Sequence, residues 1–405
     1  MAPMDAARES RVVEIYEDLH RHPEVSFAET RTAGIAARAL RDLGFTVEEG
    51  IAGTGVVGVL TCGSGPTVWL RADMDALPVQ EETGLPYSST VAGVSHACGH
   101  DVHVACLIGA AEELAEADDW RGTVVAVFQP AEELAKGARA MIDDGIVARL
   151  PRPDVVLGQH VAPLPAGTMG LTPGPMWAAT DSMRVTIFGR GGHGSRPETT
   201  VDPVVIAAAT ILRLQTIVAR ETSASQVAVV TVGAVNAGTK HNIIPETATL
   251  LVNARTYDPA VRDRVLASIT RIVNAEAEAA GAPRLPELIL EESSPTLVTD
   301  VDACERARPA LEAVVGEGRV MDPGPLPSSE DVQVLATAAG APIVFWLLGG
   351  ADPALFAGAQ GMAGIASVVG SLPSNHSPSY HPVERPTLAN GVAALVGTAR
   401  AWLVS

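Results

Sequence analysis

The stretch 95–103, SHACGHDVH, constrains this chain more than any other, because it places three histidines, a cysteine and an aspartate around one glycine. Cys98 and His100 are two residues apart, and on an extended segment such side chains project to the same side. There they can bind one metal ion or two adjacent ones. The apolar run 104–114 then predicts a buried helix. An ordinary loop with an inert cysteine would show the same nine residues, so this stretch alone leaves metal binding open.

Length and charge limit the classes of function. The chain has 405 residues, which exceeds the size at which one hydrophobic core keeps growing, so two domains are expected. Its formal net charge is −19, and Lys136 and Lys240 are the only lysines. This balance argues against nucleic acid and anionic membrane surfaces as partners.

The N-terminal residues and the cysteines indicate a compartment. The chain begins without a basic region followed by an apolar run, and we find no segment that stays apolar for the roughly eighteen residues of a membrane span. The cysteines at positions 62, 98, 106 and 304 show no paired spacing, which fits a reducing environment. We therefore expect a cytoplasmic protein that does not associate with membranes.

Two helices are predicted between residues 8 and 43, where apolar positions recur at helical spacing and Pro23 interrupts them. His20 and His22 lie at the interruption. Because no second ligand is near them in sequence, we expect both at a solvated helix end rather than in a site.

Short apolar runs without alternation predict strands buried on both faces, as in a mostly parallel α/β sheet. The runs are 56–60, 68–72, 124–128, 155–158 and, later in the chain, 343–348. Residues of metal-ligand type follow three of them: Asp73 and Asp75, Glu132 and Glu133, and His160. Ligands collect at the carboxyl edge of such sheets, so these side chains are expected to meet there.

The pattern changes between residues 182 and 295, where strands and helices alternate as β-α-β-β-α-β. This is the ferredoxin-like α+β order, and it predicts an inserted domain. We therefore predict a catalytic domain in two parts, 1–181 and 296–405, split by the inserted domain 182–295.

The candidate residues together are typical of a dinuclear hydrolase site. They are Asp73, Cys98, His100, Glu132, Glu133, His160 and His376. Two metal ions ~3.5–4 Å apart need about this many ligands and lower the pKa of a water between them toward ~7. Neighbouring side chains diverge in a loop, so one of the two adjacent glutamates can bind metal while the other acts as general base.

Six segments resemble the metallo-amidohydrolases that cleave N-acyl amino acids. The segments are 71–78 (RADMDALP), 96–101 (HACGHD), 128–133 (FQPAEE), 191–193 (GGH), 242–245 (NIIP) and 375–378 (NHSP). That family includes hippurate hydrolase, plant indole-acetyl-amino acid hydrolases and bacterial aminoacylases, and is related to carboxypeptidase G and the aminoacylase/dipeptidase peptidases. The resemblance implies a zinc-peptidase-like catalytic domain with a lid or dimerisation domain inserted.

The resemblance also implies a role for each motif residue. It makes Cys98, His100, Glu133, His160 and His376 the ligands of two divalent metal ions. Zinc or manganese is expected, with nickel or cobalt as alternatives.

Three further positions of the first domain follow from the same resemblance. Glu132 becomes the general base. Asp73 stands where the family has a carboxylate that orients a metal ligand. Arg71 stands where the related peptidases have a metal-binding histidine.

In the inserted domain, the resemblance assigns His193 to stabilise the oxyanion across a dimer, which implies a homodimer or a dimer-based oligomer. It assigns Asn242 and Arg255 to the carboxylate of the substrate. A turn histidine and a surface arginine without function are the alternative.

The expected function is hydrolysis of the amide bond of a small N-acyl amino acid (acetyl, benzoyl or similar), which releases a carboxylic acid and a free amino acid. A metallo-dipeptidase or carboxypeptidase, or a metal-stabilised binding protein without catalysis, are the alternatives. The Glu132–Glu133 pair argues against the last, because a structural metal site needs no spare base. Glu198, Val332 and Tyr380 depart from the family pattern and leave the shape of the substrate pocket open.

Overall fold

A computed structural model of the protein describes residues 4–404. The helices are α1 (Ala6–Arg21), α2 (Thr30–Asp42), α3 (His100–Glu116), α4 (Gly137–Asp143), α5 (Ile146–Arg149), α6 (Pro203–Thr216), α7 (Pro259–Ala279), α8 (Val301–Val315), α9 (Val332–Ala339), α10 (Gly361–Val369) and α11 (Thr387–Trp402). The strands are β1 (Thr46–Ile51), β2 (Gly55–Cys62), β3 (Thr67–Asp73), β4 (Gly122–Gln129), β5 (Val155–Pro165), β6 (Met169–Gly170), β7 (Gly174–Trp177), β8 (Ala179–Phe188), β9 (Gly192–His193), β10 (Ala228–Ala237), β11 (Ile243–Ile244), β12 (Thr247–Thr256), β13 (Glu287–Ser294), β14 (Leu297–Thr299), β15 (Val320–Met321) and β16 (Ile343–Ala351).

The chain divides into two compact units. The first comprises the chain up to residue 176 together with 298–325 and the part from 331 onward, and the second comprises 177–297 and 326–330. The segment 182–295, proposed from the sequence as an inserted domain, belongs to the second unit.

The first unit is built on an eight-stranded sheet in the order β1-β2-β4-β3-β5-β16-β6-β15. Strands β4, β3, β5 and β16 run parallel to one another, which confirms the expected mostly parallel α/β sheet. At one edge β2 runs antiparallel to both β1 and β4. The apolar run 56–60 predicted a strand there but carried no information about its direction.

The strands of this unit have continuous apolar sequences because they are buried on both faces of the sheet. Every residue of β4 is buried, and so are all but the last of β16, because helices cover the sheet. Helix α3 is buried along most of its length and packs against the sheet, α1 and α11. It begins without a side-chain cap, directly after Gly99, whereas Asp5 caps α1 and Asp300 caps α8.

Strand directions bring the predicted ligand segments to one sheet edge. Asp73, the last residue of β3, is the parallel partner of Gln129, the last residue of β4. The short 3₁₀ turn Glu132–Leu134 follows β4 immediately. His160 lies on β5, the other neighbour of β3.

The second unit has the expected β-α-β-β-α-β order, formed by β8, α6, β10, β12, α7 and β13. Its antiparallel sheet has the strand order β10-β12-β8-β13, which is the ferredoxin-like arrangement. Burial alternates along β12, and the two helices pack on the sheet to close a core of its own.

Among residues 4–404, one helix, Pro203–Glu221, is long and apolar enough to cross a membrane by length and composition alone. The sequence did not predict it as a candidate span, because Arg213 and Arg220 interrupt its apolar run. Ile206 and Leu214 are buried in the core of the second unit. A single helix of this kind is weak evidence for a membrane span, since core helices of soluble proteins have the same properties.

Candidate metal centre

The five residues predicted as metal ligands lie together in the first unit. Cys98 forms one group with His100 and His160, and a second group with Glu133 and His376. In each group the ligand atoms lie within 4.8 Å of one another. The Cys98 Sγ atom is 3.5 Å from His160 Nε2, and His376 Nε2 is 3.3 Å from Glu133 Oε2. The arrangement therefore offers two adjacent ligand sets that share one thiol.

Glycine at position 99 makes the first ligand set sterically possible. Gly99 has φ 82°, and a Cβ atom there would lie 2.4 Å from Val161 Cγ1. Any other residue would strain the backbone and push the strand away. The close approach puts Cys98 and His100 on either side of the turn into α3, next to His160.

The Glu132–Glu133 turn has an unusual backbone. Ala131 (φ 49°) and Ala135 (φ 51°) flank it in the left-handed region, which residues other than glycine rarely adopt. A Cβ on Gly137 would lie only 1.5 Å from Pro130 O, so the chain folds back tightly after the turn. Such conformations cost about 1–3 kcal/mol each and persist only where the surroundings hold them.

Asp75 holds this turn, and its role was not predicted. Its carboxylate accepts hydrogen bonds from the backbone N–H groups of Glu132 (3.1 Å) and Glu133 (3.0 Å) and from Ser26 Oγ (2.7 Å). Its Oδ1 atom also lies 3.3 Å from His100 Nδ1. Asp75 therefore orients a ligand histidine and both glutamates. The position of Asp75 after β3 predicted that it lies at the sheet edge. The sequence did not predict that it faces His100.

Asp73, which was expected to orient a metal ligand, contacts His103 and Arg71 and also lies near His100. His103 Nε2 accepts a hydrogen bond from Val161 N (2.8 Å), so its Nδ1–H donates to Asp73 Oδ1 (2.5 Å). Asp73 Oδ2 lies 3.7 Å from His100 Nε2. His103 was missed, although it stands three residues after His100 on the same helix face.

Arg71 provides a buried positive charge beside the ligands. It donates to Asp73 Oδ2 (2.7 Å) and to Gln129 Oε1 (2.9 Å), and it lies 3.4 Å from Asp331. Asp331 also accepts from Gln129 Nε2 (2.6 Å) and from Ala138 N. Burial raises the pKa of Asp331 to about 6, although Arg71 opposes the shift.

Burial and neighbouring charges set the protonation of the cluster. Burial raises the pKa of Asp73, but Arg71, His100 and His103 outweigh it and hold that pKa well below the usual range. Burial lowers the pKa of His100, but the charges of Asp73 and Cys98 hold it well above its usual value. Burial also raises the pKa of the Cys98 thiol. The hydrogen bonds of His376 to Cys98 and Glu133 raise its pKa to about 10. The cluster therefore combines a carboxylate whose pKa is lowered with imidazoles whose pKa is raised.

The donor atoms fit divalent metal ions. His160 Nδ1–H donates to Val161 O (2.8 Å), which directs its Nε2 lone pair toward Cys98. His100 Nε2 and Glu133 Oε1 are buried and have no hydrogen-bond partner among residues 4–404. Buried polar atoms without partners are costly, and a cation between them removes that cost. The set of imidazole, carboxylate and thiolate donors suits two such ions.

The expectation that His20 lies at a solvated helix end was wrong. His20 is 1% exposed, with Nδ1 at 2.6 Å from Asp101 and Nε2 at 3.3 Å from Glu81. Burial lowers its pKa, but these two carboxylates outweigh burial and raise it to about 9. His22 is half-buried, and its ring lies 2.8 Å from the backbone oxygen of Asp18.

The candidates of the second unit lie in two places, a separate two-stranded sheet and the four-stranded sheet. His193 of β9 pairs with Ile243 of β11, and Gly194 N donates to Asn242 O. We call β9 and β11, together with Asn242 directly before β11, the His193 ladder; His193 and Asn242 are both exposed. Arg255 lies near the far end of β12, where it donates to Pro327 O (2.6 Å). Eight residues of strand separate Arg255 from the beginning of β12, or roughly 26 Å.

The fold and this cluster define a metal-dependent hydrolase: an open α/β sheet carries two adjacent ligand sets and a paired carboxylate at its carboxyl edge. Residues 69–395 match the peptidase family M20/M25/M40. The chain belongs to this family, which confirms the resemblance found in the sequence.

Individual relatives agree with this assignment. The chain is 38% identical over 333 residues to N-acetyl-L-cysteine deacetylase of Bacillus subtilis (strain 168), covering 80% of this chain and 77% of that protein. It is 43% identical over 267 residues to hippurate hydrolase of Campylobacter jejuni, covering 65% and 69%. The crystal structure of Bacillus subtilis YXEP, described as a dinuclear metal binding peptidase of the M20 family, superposes with a TM-score of 0.77 at 29% identity, covering 98% and 99%.

Proposed function

We propose that this protein is a two-metal amidohydrolase that cleaves N-acyl amino acids to a carboxylic acid and a free amino acid. One observation carries the proposal. Glu132 belongs to neither ligand set that shares Cys98, yet its carboxylate lies within 4.8 Å of ligand atoms of His100 and Glu133. An acidic side chain next to the two groups that share Cys98, but outside both of them, stands where a general base is required. The acylated substrates named for the two curated relatives support this reaction.

In this proposal Cys98, His100, Glu133, His160 and His376 hold two divalent cations. When bound, such cations polarise the amide carbonyl and lower the pKa of an attacking water. Zinc or manganese are the ions we expect, with nickel and cobalt as alternatives, because thiolate, imidazole and carboxylate donors together do not select one of them.

The protein side chains supply proton transfer and orientation. Glu132 accepts a proton from the attacking water and passes it to the amide nitrogen as the carbon–nitrogen bond breaks. Asp75 keeps Glu132 and Glu133 in their turn through two backbone hydrogen bonds. Asp73 keeps a negative charge beside His100 and fixes His103.

The second unit supplies the substrate contacts and, in this proposal, the dimer contacts of a lid domain spanning 182–295. His193 stabilises the oxyanion, and Asn242 and Arg255 hold the substrate carboxylate. The roughly 26 Å between Arg255 and the beginning of β12 exceeds the length of a small substrate. One copy of this sheet therefore cannot present both ends to one molecule. This supports a homodimer, or a dimer-based oligomer, in which the His193 ladder serves the site of its partner.

The remaining elements of the proposal concern location and partners. All four cysteines are free thiols, which supports a reducing compartment such as the cytoplasm. The net charge of −19 supports small molecules rather than nucleic acid or membranes as partners.

The test is release of free amino acid from N-acetyl, N-benzoyl and indole-acetyl amino acids and from unblocked dipeptides, with protein reloaded separately with zinc and with manganese. We expect hydrolysis of a blocked class that is lost on chelation. Glu132→Gln should lower turnover by ~10²–10⁴-fold and leave metal content unchanged, whereas Glu82→Gln, on an exposed residue, should change neither. Cleavage confined to unblocked dipeptides would instead indicate a peptidase, and metal content without any hydrolysis would indicate a binding protein.

A further inference from the structure

We infer that Glu29 is a positioning residue for Glu132: its carboxylate fixes the backbone directly before the proposed general base and so holds the Glu132 side chain in place for proton transfer. This inference rests on the proposed function and deepens it, because it names a residue that acts on the reaction only through the base. Glu29 belongs to the loop between α1 and α2 in the first unit and is fully buried.

The carboxylate of Glu29 reaches from its own loop to the turn that carries the paired glutamates. Its Oε1 atom accepts hydrogen bonds from Ala131 N (2.9 Å) and Phe27 N (2.9 Å), and its Oε2 atom accepts one from Thr54 Oγ1 (2.6 Å). Ala131 lies 102 residues further along the chain, directly before Glu132. The contact therefore joins two distant segments, and both carboxylate oxygens have partners.

Glu29 and Asp75 together bind three successive backbone donors. Glu29 accepts from Ala131 N, and Asp75 accepts from the next two N–H groups of the turn, those of Glu132 and Glu133. Because peptide groups are planar, holding the N–H groups on both sides of the Ala131 Cα atom fixes both backbone dihedrals of Ala131. The direction in which the chain enters Glu132 is thereby set.

The bond from Glu29 acts where the backbone needs support. Ala131 has φ 49°, in the left-handed region, and such a conformation persists only where the surroundings hold it. Ala131 is also completely buried, so water cannot replace a lost partner of its N–H group. Without an acceptor at position 29, the backbone at Ala131 should turn and carry the Glu132 side chain with it.

The sequence around Glu29 leaves its side chain available for this contact. Glu29 stands at the N-cap position of α2, yet within residues 4–404 its side chain accepts no capping hydrogen bond from that helix. An N-cap side chain normally accepts from the free N–H groups of its own helix. Glu24 does so instead, through Arg31 N (2.9 Å) and Thr32 N (2.9 Å). A second carboxylate thus caps the helix, while that of Glu29 is directed to the turn.

The backbone of this loop is itself unusual. Phe27 has φ 62°, which is rare for a bulky side chain, and it is 40% exposed, so burial in the core does not explain the conformation. Its N–H group donates to Glu29, and the preceding Ser26 donates to Asp75. Conformations of this kind cluster at functional sites. The loop therefore contacts both carboxylates that hold the turn.

The contact requires an acceptor oxygen rather than a charge. Burial raises the pKa of Glu29, although the hydrogen bonds from Thr54 and Ala131 oppose the rise. A negative charge is therefore costly at this place, and a neutral carbonyl oxygen can accept the same backbone hydrogen bonds. Glutamine should replace Glu29 well, whereas an apolar side chain of similar length should not.

The experiment measures kcat, KM and metal content for metal-loaded protein with an N-acyl amino acid that the wild type hydrolyses. Glu29→Met keeps most of the volume but accepts no hydrogen bond, and we expect kcat to fall ~10²-fold with KM within about twofold and metal content unchanged. Metal should remain bound because Glu133 N keeps its bond to Asp75. Glu29→Gln should stay within about fivefold of the wild-type kcat, which a role in charge would not allow.

Glu24→Met is the matched control. Glu24 lies in the same loop and also accepts backbone hydrogen bonds, but from α2, so its loss should lower stability and leave kcat within about twofold of wild type. Thr54→Val provides a milder variant in case Glu29→Met does not fold. It removes the hydroxyl that donates to Glu29 and should lower kcat roughly threefold, whereas Thr54→Ser keeps the hydroxyl and should not.

Amide hydrogen exchange gives a measurement that does not depend on activity. The Ala131 N–H group should exchange slowly in the wild type, because it is buried and bonded to Glu29. Glu29→Met should raise its exchange rate at least about tenfold, and Glu24→Met should leave it unchanged. Thermal unfolding verifies that each variant is folded.

The outcomes separate this inference from the proposed function. A wild-type kcat in Glu29→Met, equal losses in Glu29→Met and Glu29→Gln, or a loss of metal that accounts for the loss of kcat would overturn the role of Glu29 and leave the amidohydrolase intact. Absence of hydrolysis for every acyl amino acid in the wild-type protein would overturn both.

Discussion

The metal-ligand cluster and the His193 ladder are built in opposite ways. Cys98 and His100 are buried, next to the Gly99 turn, with Asn375 bonded to Cys98 O and the carboxylates of Asp73 and Asp75 beside His100. His193 and Asn242 are exposed on a two-residue ladder. The candidate ligands of the first region lie in one unit, whereas the side chains of the second region are exposed to solvent. The difference teaches that the candidate metal ligands come together within one unit, whereas the proposed role of the His193 ladder depends on a partner copy.

The largest effect should come from the glycine that precedes α3. In Gly99→Ala, the new methyl group would meet Val161 Cγ1 at 2.4 Å in a left-handed backbone, and we expect a loss of about 2–5 kcal/mol in the free energy of unfolding together with loss of metal. Denaturant titration and metal analysis measure both. Gly233→Ala is the control, because no atom lies within 4 Å of a Cβ there. Equal stability of the two variants would show that the turn tolerates change and that the cluster is less constrained than its geometry implies.

The next effect concerns the exposed region. His193→Ala should lower kcat by ~10²–10³-fold, because it removes a donor to the oxyanion, and should leave metal content and stability unchanged. His241→Ala, on an exposed histidine of the same unit, serves as the comparison and should have little effect. Loss of metal in His193→Ala would mean that the two regions are not separable.

Asp75→Asn tests the carboxylate that organises the cluster. The amide group cannot accept from Glu132 N, Glu133 N and Ser26 Oγ at once, so we expect metal affinity to fall ~10–100-fold. Ser26→Ala removes only one of these hydrogen bonds and should cost less. Isothermal titration with the metal ion measures both, and unchanged affinity in Asp75→Asn would contradict the assigned role.

The last effect is a dependence of stability on pH, which involves a residue outside both regions. The pKa of His20 is raised from 6.5 to about 9 in the folded protein, so its protonated form stabilises the fold. The contribution is fully present below pH 6.5 and is lost as pH rises through 9, and it amounts to roughly 3 kcal/mol. The difference in unfolding free energy between wild type and His20→Gln should therefore shrink over that window. A difference that stays constant from pH 6 to 10 would show that His20 is not charged.

The sequence predicted those parts of the site whose residue type reveals their chemistry. Cysteine, histidine and paired glutamates at the ends of apolar runs indicated the ligands, and strand direction brought them together. Asp75 and His103 were missed because their roles depend on which atoms they face, and spacing alone does not determine that. His20 was placed wrongly because its partners, Asp101 and Glu81, are distant in the chain.

The fold shows the same limit. Burial on both faces made β3, β4 and β5 recognisable as parallel strands, but the antiparallel direction of β2 depends on its pairing with β4. The assignment of Asn242 and Arg255 to one carboxylate stays a prediction, and spacing in the sequence did not show that most of β12 lies between them.

The central claim is that one copy of the protein holds all the metal ligands and the partner copy supplies His193 for catalysis. A mixing experiment tests it most directly. Glu132→Gln and His193→Ala, each nearly inactive alone, are coexpressed with separate tags and the doubly tagged dimers are assayed for amide hydrolysis. In such dimers one site has both Glu132 and a partner's intact ladder, so about half of the wild-type activity per dimer should return. Activity no higher than that of the two single variants would contradict the claim and place the oxyanion donor within the same copy.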